Sequence, residues 1–380
     1  VVRVDAVINN EEYVIGAVFM DIQIEDKAKI ESAINRMNIY FLLENVLKGG
    51  ASDLHLTVGR PPMVRKEGRI LTMAAERIDE GQVEAMLYPL ITTDQIESFE
   101  KNKEFDFAFS PDLTSRFRVN LHWQKGFVEA ALRSIPLGVK TFEELGLPVE
   151  QMEKFCKERS GLILIAGTTG SGKTTTMSAM VNYINSALEQ VVITIEDPIE
   201  NIFKSQNSII KQRELGSDTK SYTEALRRVL RQDPDVICVG ELLDGECLQA
   251  AMRAAETGHL VISTIHAPST TQAIERVINF FPPEHAGAIS QQLSSCLVGI
   301  LYQVLIPGRM GGLMMGSELL INNNAMKNLI REAKYSLMGN VLQTGRSQGM
   351  YTLKNNLTEL YSKGLIDDRT LSSYFKQENM

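Results

Sequence analysis

The sequence lacks several patterns, and each absence argues against a class of protein. Its four cysteines include no C-x-x-C pair, the common spacing of zinc sites and redox motifs. No apolar run approaches the roughly 18 residues of a membrane-spanning helix, and no secretory signal is visible. Basic residues number 39 against 47 acidic ones, which argues against nucleic acid as a partner. We therefore expect a cytoplasmic globular protein with buried free thiols.

The composition that remains is that of an ordinary globular chain, with 44% hydrophobic and 23% charged residues. A length of 380 residues predicts two or three domains. Residues 1–8 and 13–20 alternate or run apolar around the polar segment 9–12, which predicts a β-hairpin. Residues 24–37 have helical spacing. Because the sequence starts inside a predicted strand, we expect further residues upstream of Val1.

An α+β domain is predicted over residues 38–140, where short helices and antiparallel strands alternate. Three arginines follow its strand pattern. Arg116 and Arg118 lie two residues apart and share a strand face, and Arg133 ends the next strand. A solvated strand face is one explanation. The other is stabilisation of phosphoryl charge, in a site shared with a neighbouring subunit. A linker is predicted over residues 141–150.

The chain is organised around residues 161–184, where an apolar strand, a glycine-rich loop and a helix follow in turn. The loop fits the phosphate-binding pattern G-x-x-x-x-G-K-[ST]. Its glycines allow backbone N–H groups to close around phosphate oxygens at the positive end of the helix. Lys173 is expected to reach the β- and γ-phosphates, and Thr174 to hold Mg²⁺. The predicted nucleotide-binding residues are Gly167, Thr168, Thr169, Gly170, Ser171, Gly172, Lys173, Thr174 and Thr175.

Carboxylates follow the next two buried strands. Glu196, Asp197 and Glu200 come at the end of the apolar run 191–195. Glu241 comes at the end of a later buried run, residues 236–240. Ligands of open α/β sheets bind beyond the carboxyl ends of the strands. The first group is expected to hold Mg²⁺ or orient water, with a solvated acidic turn as the alternative. Glu241 is expected to activate water, on a strand beside that of the phosphate loop.

A further buried strand carries a histidine at each end, His259 and His266. A polar residue at such a strand end, Thr264 or His266, is suited to sensing a γ-phosphate. A structural hydrogen bond is the alternative for each histidine taken alone. Because strand and helix units repeat up to about Ile306, the pattern predicts a mostly parallel sheet of the RecA type with right-handed crossovers. The tail from Glu318 reads as helical.

In combination, these segments resemble the PilT branch of the secretion and pilus ATPase superfamily, from about Asn38 to the C-terminus. The matching segments are GTTGSGKT (Walker A), ITIEDPIE (Asp box), DPDVICVGE (Walker B), TGHLVISTIHA (His box) and RFRVN in the N-terminal domain. The resemblance implies that Glu241 is the catalytic glutamate, that Glu196, Glu200, His259 and His266 serve the site, and that Arg116 and Arg118 approach nucleotide.

The resemblance implies an α/β fold: a RecA-like core over residues 151–317, an N-terminal α+β (PAS-like) domain over 38–140 and a helical tail over 318–380. It implies a homo-hexameric, ATP- and Mg²⁺-dependent motor that drives pilus retraction and twitching motility. The motor would lie at the cytoplasmic face of the inner membrane and pull on a platform protein there. Residues 1–37 resemble the C-terminal part of a PilZ domain, through whose upstream part cyclic di-GMP would bind. A plain β-hairpin that caps the next domain is the alternative.

Two departures keep alternatives open. The family reads GEMRD after its Walker B strand, whereas here Leu243 replaces the arginine. The segment AMKNLIRE resembles the AIRNLIRE helix of retraction ATPases, but Lys327 replaces an arginine and loses its fork geometry. A regulatory nucleotide-binding paralogue with weak hydrolysis is therefore one alternative. A pilus assembly or type II secretion ATPase is another, although those members usually carry a tetracysteine insert that this sequence lacks.

Overall fold

The structure is a computed structural model that describes residues 2–9, 12–19, 38–112, 115–135 and 138–377. The chain divides into two compact units, Val1–Leu137 and Gly138–Met380. The predicted helix at 24–37 lies outside the described residues.

The N-terminal unit holds a hairpin and a six-stranded antiparallel sheet. Its strands are β1 (Val2–Asn9), β2 (Glu12–Phe19), β3 (Asp53–Leu56), β4 (Met63–Lys66), β5 (Arg69–Thr72), β6 (Glu104–Asp112), β7 (Ser115–Gln124) and β8 (Phe127–Ile135). Its helices are α1 (Ile39–Lys48), α2 (Glu80–Leu87) and α3 (Thr93–Asn102). Among the residues that the structure describes, strands β1 and β2 pair only with each other, and the sheet has the order β5-β4-β3-β8-β7-β6.

The core of this unit lies between one face of the sheet and the helices. On β7, Phe117, Val119 and Leu121 are fully buried, while Arg118 between them is exposed. This alternation is the period of two expected for a strand with one covered face. Helix α1 packs its Leu42 and Leu43 into the same core.

The C-terminal unit is built on a seven-stranded sheet with helices on both faces. Its strands are β9 (Gly161–Ala166), β10 (Val191–Glu196), β11 (Ile209–Glu214), β12 (Val236–Val239), β13 (Leu260–Ile265), β14 (Leu297–Pro307) and β15 (Leu313–Ile321). Its helices are α4 (Val149–Cys156), α5 (Lys173–Ala187), α6 (Tyr222–Val229), α7 (Gly245–Glu256), α8 (Thr270–Asn279), α9 (Ala286–Cys296), α10 (Asn324–Arg331), α11 (Met338–Thr344), α12 (Leu353–Ser362) and α13 (Asp368–Gln377).

The strand order is β11-β10-β12-β13-β9-β14-β15, and all neighbours run parallel except the hairpin of β14 and β15. Every residue of β9 is buried. Its alternate residues serve opposite layers, with Leu162 and Leu164 in one core cluster and Ile163 and Ile165 in the other. Coverage on both faces explains why these strands read as continuous apolar runs.

Three details differ from the sequence-based expectations. Strand β12, which precedes Glu241, does not lie beside β9, because β13 is inserted between them. The boundary expected after residue 317 falls inside β15, which pairs with β14 through Ile321. The division between the units falls after Leu137. Residues 141–150 belong to the second unit because Phe142 and Leu147 are buried in its core.

Candidate nucleotide site

The glycine-rich loop connects the end of β9 to the start of α5, as the sequence predicts. Gly170 and Gly172 have φ values of +77° and +88°, which side chains rarely adopt. Gly167 is required for a different reason. A Cβ atom there would lie 2.3 Å from Ser171 Oγ and 2.7 Å from the Gln303 carbonyl oxygen. The loop is therefore closed so tightly that its first glycine has no room for a side chain.

Lys173 begins α5, and its side chain folds back over the loop. Its Nζ donates to the carbonyl oxygens of Gly167, at 3.1 Å, and Thr168, at 3.0 Å. Burial lowers the pKa of Lys173, and the charge of Glu241 opposes this effect. The ammonium group thus lies inside the loop, where it would meet the phosphates of a nucleotide.

The loop fits a phosphate ligand on two further observations. Ser171 Oγ is buried and has no hydrogen-bond partner among the described residues. Thr168, Thr169 and Gly170, by contrast, are exposed at the mouth of the loop, where a ligand can reach their backbone N–H groups. Thr174 is half-buried in the first turn of α5. Thr175, beside it, is exposed.

A glutamate, a histidine and the loop lysine form a line at the carboxyl ends of β12, β13 and β9. His266 Nε2 lies 2.8 Å from Glu241 Oε1, and His266 Nδ1 lies 3.5 Å from Lys173 Nζ. The arrangement suits a neutral imidazole that donates from Nε2 and accepts at Nδ1. Because β13 separates β9 from β12, it is this strand that brings His266 between Glu241 and Lys173.

Backbone contacts hold the segment of Glu241 in place. Thr264 Oγ1 donates to the carbonyl oxygen of Gly240, at 2.6 Å, and Leu242 N donates to the carbonyl oxygen of Thr264, at 3.1 Å. The hydroxyl of Thr264, which was expected to sense phosphate, thus donates to Gly240 and positions the residue before the glutamate. Glu241 itself is partly exposed, with 30% of its side chain open to solvent.

The first acidic segment is divided between a buried and an exposed part. Glu196 is buried, and its Oε1 accepts from Thr194 Oγ1 at 2.6 Å and Gln212 Nε2 at 3.2 Å. Burial raises the pKa of this carboxyl group. Asp197 is exposed, and Glu200 is half-buried. The structure thus holds Glu196 inside the sheet, and its catalytic role stays a prediction.

His259 lies at the other end of β13 from His266. Its Nδ1 lies 3.0 Å from the carbonyl oxygen of Ala254 and 3.3 Å from Thr257 Oγ1, at the C-terminal end of α7. The strand register places it beside Gly161, where β9 begins rather than where it ends. The structure therefore does not bring His259 to the loop of its own chain.

The three arginines belong to the N-terminal unit. Arg118 and Arg133 are direct cross-strand partners on β7 and β8, and Asp53 of β3 lies on the other side of Arg133. Arg133 Nε donates to Asp53 Oδ1 at 2.8 Å. The hydrogen bonds from Ser52 and Arg133 outweigh burial and lower the pKa of Asp53. Arg116 is buried and donates to Ser110 Oγ at 3.3 Å. Their approach to nucleotide stays a prediction.

Gln303 is a component of the site that the sequence did not reveal. It lies on β14 and is completely buried, and its Nε2 donates to the carbonyl oxygen of Ser171 at 2.6 Å. Its Oε1 accepts from Thr176 Oγ1 at 2.8 Å. The signal in the sequence was a polar residue within the apolar run LVGILYQVLIP. A buried polar side chain requires partners, but the run does not say which.

The described residues contain no cluster of three or more histidine, cysteine, aspartate or glutamate side chains arranged for a metal ion. Mg²⁺ does not require such a cluster, because it binds through one or two side chains together with phosphates and water. Thr174 in the first turn of α5 and the carboxylate of Asp197 are donors of that kind. None of the helices in the described part of the chain combines the length and apolarity needed to cross a membrane.

The fold and the loop together define a P-loop nucleotide-binding protein with a RecA-like core. The sequence pattern of the type II/IV secretion system protein family matches residues 23–310. The chain belongs to this family.

Individual relatives place it near the PilT-like members. The type IV pilus retraction ATPase PilT of Pseudomonas aeruginosa is 42% identical over 87% of this chain and 96% of its own length. A twitching motility protein of Neisseria gonorrhoeae is 39% identical over 80% of this chain and 82% of its own length. A crystal structure of the pilus retraction motor PilT with bound ADP superposes with a TM-score of 0.83, at 41% identity, covering 88% of this chain and 96% of that one. These findings confirm the predicted family and fold class.

Proposed function

We propose that this chain is a Mg²⁺-dependent ATPase that powers retraction of type IV pili and hence twitching motility. The observation that carries the proposal is the line from Glu241 through His266 to Lys173 at the mouth of an intact phosphate loop. The similarity to PilT extends over 96% of that protein, so the likeness is not limited to the nucleotide-binding segment.

Nucleotide binding follows from the loop. Phosphate oxygens enter the closed turn between Gly167 and Lys173 and accept from its backbone N–H groups, at the positive end of α5. The Lys173 ammonium exchanges the carbonyl oxygens of Gly167 and Thr168 for the β- and γ-phosphates. Burial removes water from the Lys173 ammonium group and thereby lowers its pKa. An anionic phosphate beside the ammonium group compensates for this lost hydration.

Hydrolysis requires a base beyond the γ-phosphate. Glu241 is partly exposed and lies at the end of β12, with His266 Nε2 fixing its orientation. A carboxylate there accepts the proton of the attacking water. His266 donates to Glu241 on one side and faces Lys173 on the other, so it is suited to report the occupancy of the loop. Thr174 and Asp197 would hold Mg²⁺, which would neutralise charge on the phosphates.

The arginines supply the remaining part of the proposed mechanism. Arg118 and Arg133 are like charges directly opposite each other on a sheet, an arrangement that costs stability unless an anion lies nearby. Asp53 pairs with Arg133 at 2.8 Å and also lies 3.9 Å from Arg65 Nε, so its charge is shared between two arginines. We infer that Arg116, Arg118 and Arg133 close over the nucleotide of a neighbouring copy in a homo-hexamer, and that movement between the two units delivers the stroke.

The proposed place of work is the cytoplasmic face of the inner membrane. No described helix suits a membrane span, so force is proposed to pass to a platform protein within that membrane. The upstream resemblance to a PilZ domain leaves cyclic di-GMP as a candidate regulator. Strands β1 and β2 form an antiparallel hairpin there, with pairs from Val2–Phe19 to Asn9–Glu12.

One observation favours a second function. Leu243, in place of the family's arginine, leaves 58% of its surface exposed beside the site, with no charge to offer a nucleotide or a neighbouring subunit. A regulatory paralogue that binds nucleotide but turns it over slowly would tolerate this substitution. For pilus assembly or secretion, the described residues offer no comparable support, since all four cysteines are buried and free.

Steady-state hydrolysis decides between the motor and the regulator. Purified wild-type protein and Glu241→Gln are compared for ATP turnover and for binding of a fluorescent ADP analogue. A motor shows turnover that falls about a hundredfold or more in Glu241→Gln, with ADP binding retained. Equal, negligible turnover in both proteins with normal binding would leave the regulatory function. Gel filtration with nucleotide present is expected to give a particle of about six chains, and a strict monomer argues against the motor.

A further inference from the structure

Residue Gln303 contacts the phosphate loop at three points. Its backbone oxygen leaves no room for a side chain at Gly167, because an added Cβ atom would lie 2.7 Å from that oxygen. Its Nε2 donates to the Ser171 carbonyl oxygen at 2.6 Å, and the same nitrogen lies 3.2 Å from where a Cβ atom of Gly172 would be. These contacts join the first glycine, the middle and the last glycine of the loop to a strand more than a hundred residues further along the chain.

A fourth contact joins Gln303 to the helix after the loop. Thr176 Oγ1 donates to Gln303 Oε1 at 2.8 Å. This bond fixes the orientation of the amide, because Oε1 must accept from the hydroxyl while Nε2 donates to the carbonyl. Gln303 is completely buried, so water does not compete for either bond. One side chain therefore sets the distance between the middle of the loop and the first turn of α5.

The bond to Ser171 also determines where a loop N–H group points. In a planar trans peptide, the C=O and N–H groups point in opposite directions. When the Ser171 carbonyl turns to Gln303, the N–H of Gly172 must point away from Gln303. Loss of the bond would leave a buried carbonyl group without a partner, and the peptide would be free to rotate toward other donors. The direction of the Gly172 N–H group, which would donate to a phosphate, thus depends on the Gln303 side chain of β14.

We infer that Gln303 is a positioning residue for nucleotide binding: it holds the Ser171–Gly172 peptide and the start of α5 in the geometry that the phosphates require. The inference rests on the proposed function of the same loop. Gln303 is expected to affect the affinity for ADP and ATP alike, because both present phosphates to the loop. Neither the base nor the motor stroke is part of this role.

A purely structural role is the competing explanation, and the sheet offers a matched control. Ser317 on β15 is the direct cross-strand partner of Gln303, and it is 1% exposed. Its hydroxyl lies 2.9 Å from Tyr351 Oη instead of contacting the loop. Ser317→Ala therefore removes a buried hydrogen bond from the same hairpin, and it leaves the loop contacts in place.

The test measures the Kd of a fluorescent ADP analogue and the apo melting temperature in Gln303→Met, Thr176→Val, Thr176→Ser and Ser317→Ala. Gln303→Met keeps size and removes both side-chain bonds, whereas Thr176→Val removes one of them. We expect Gln303→Met to raise the Kd about ten- to a hundredfold and Thr176→Val about three- to tenfold. Thr176→Ser, which keeps the hydroxyl, should stay near wild type. Ser317→Ala should lower the melting temperature without changing the Kd.

The outcomes separate the inference from the function beneath it. A wild-type protein that binds no nucleotide would contradict the proposed function itself. Wild-type binding together with Kd values within twofold in both Gln303→Met and Thr176→Val would overturn the positioning role and leave the function standing. If Gln303→Met fails to fold, Thr176→Val decides alone, by the same twofold limit. A further check is the double variant, whose effect should be smaller than the product of the single effects, because the two residues share a bond.

Discussion

The tightest point of the phosphate loop offers the sharpest prediction, the substitution Gly167→Ala. The added Cβ atom would lie 2.3 Å from Ser171 Oγ, 3.1 Å from Ser171 Cβ and 2.7 Å from the Gln303 carbonyl oxygen. Ser171 Oγ can rotate, but the Gln303 oxygen belongs to the backbone of β14 and cannot. Relief must therefore come from the loop, which has to move by several tenths of an ångström.

The size of the effect follows from these contacts. Overpacking of this kind costs about 1–3 kcal/mol. About 1.4 kcal/mol is a factor of ten in an equilibrium constant. If this cost falls on the loop conformation that binds nucleotide, the Kd should rise about ten- to a hundredfold. A fluorescent ADP analogue, titrated at equilibrium, measures the change. Hydrolysis is expected to fall at subsaturating ATP and to recover in part at high ATP.

A second glycine supplies the control for backbone strain. Gly258 has a φ of +106°, and an added Cβ atom would meet nothing within 4 Å. Gly258→Ala should therefore lower the free energy of unfolding by about 1–2 kcal/mol through the left-handed conformation alone. This loss is expected to appear as a lower melting temperature, with the Kd for ADP unchanged. The reasoning fails if folded Gly167→Ala binds ADP within twofold of wild type, or if Gly258→Ala weakens binding as much as Gly167→Ala does.

Three further predictions concern charge. Because burial raises the pKa of Glu196, the protonated carboxyl group contributes fully to stability in acid, and this contribution is lost as the pH rises above the usual glutamate range. Glu196→Gln should therefore raise the melting temperature more at about pH 8 than at about pH 4. Equal shifts at the two pH values would contradict this. Leu243→Arg should increase ATP turnover with little change in melting temperature, since the side chain is 58% exposed, whereas Leu242→Arg, at 2% exposure, should unfold the unit. Arg118→Gln should leave the melting temperature equal or higher, because it removes repulsion from Arg133, while it lowers ATP turnover; unchanged turnover would mean that Arg118 is only a solvated residue.

Local features of the site could be predicted from the sequence, because a strand, a glycine-rich loop and a helix follow one another within 24 residues, 161–184. The carboxylates and His266 could be placed at one sheet edge, since each ends a buried run and parallel strands end together. The structure brings Glu241, His266 and Lys173 into one line. The predicted fold class, with a RecA-like core, is confirmed by the similarity to the PilT structure.

The remaining features depend on contacts that no local pattern records. Strand order is such a feature: nothing between residues 236 and 265 states that β13 lies between β12 and β9, and the expectation that β12 neighbours β9 was wrong. His259 and His266 look equivalent in the sequence, yet the six residues of β13 lie between them and place them at opposite edges of the parallel sheet. Gln303 reaches Ser171 across 132 positions of the chain. Only the tertiary pairing of β14 with β9 brings this side chain to the loop.

The central claim is that ATP hydrolysis at Glu241 drives retraction of pili. It is tested most directly in the source bacterium, by counting surface pili and measuring twitching after deletion of the gene and complementation with wild type or Glu241→Gln. We expect the deletion strain and the Glu241→Gln strain to carry more pili than wild type and to have lost twitching, with wild-type complementation restoring both. Cells without pili after deletion, or full twitching with Glu241→Gln, would contradict the claim.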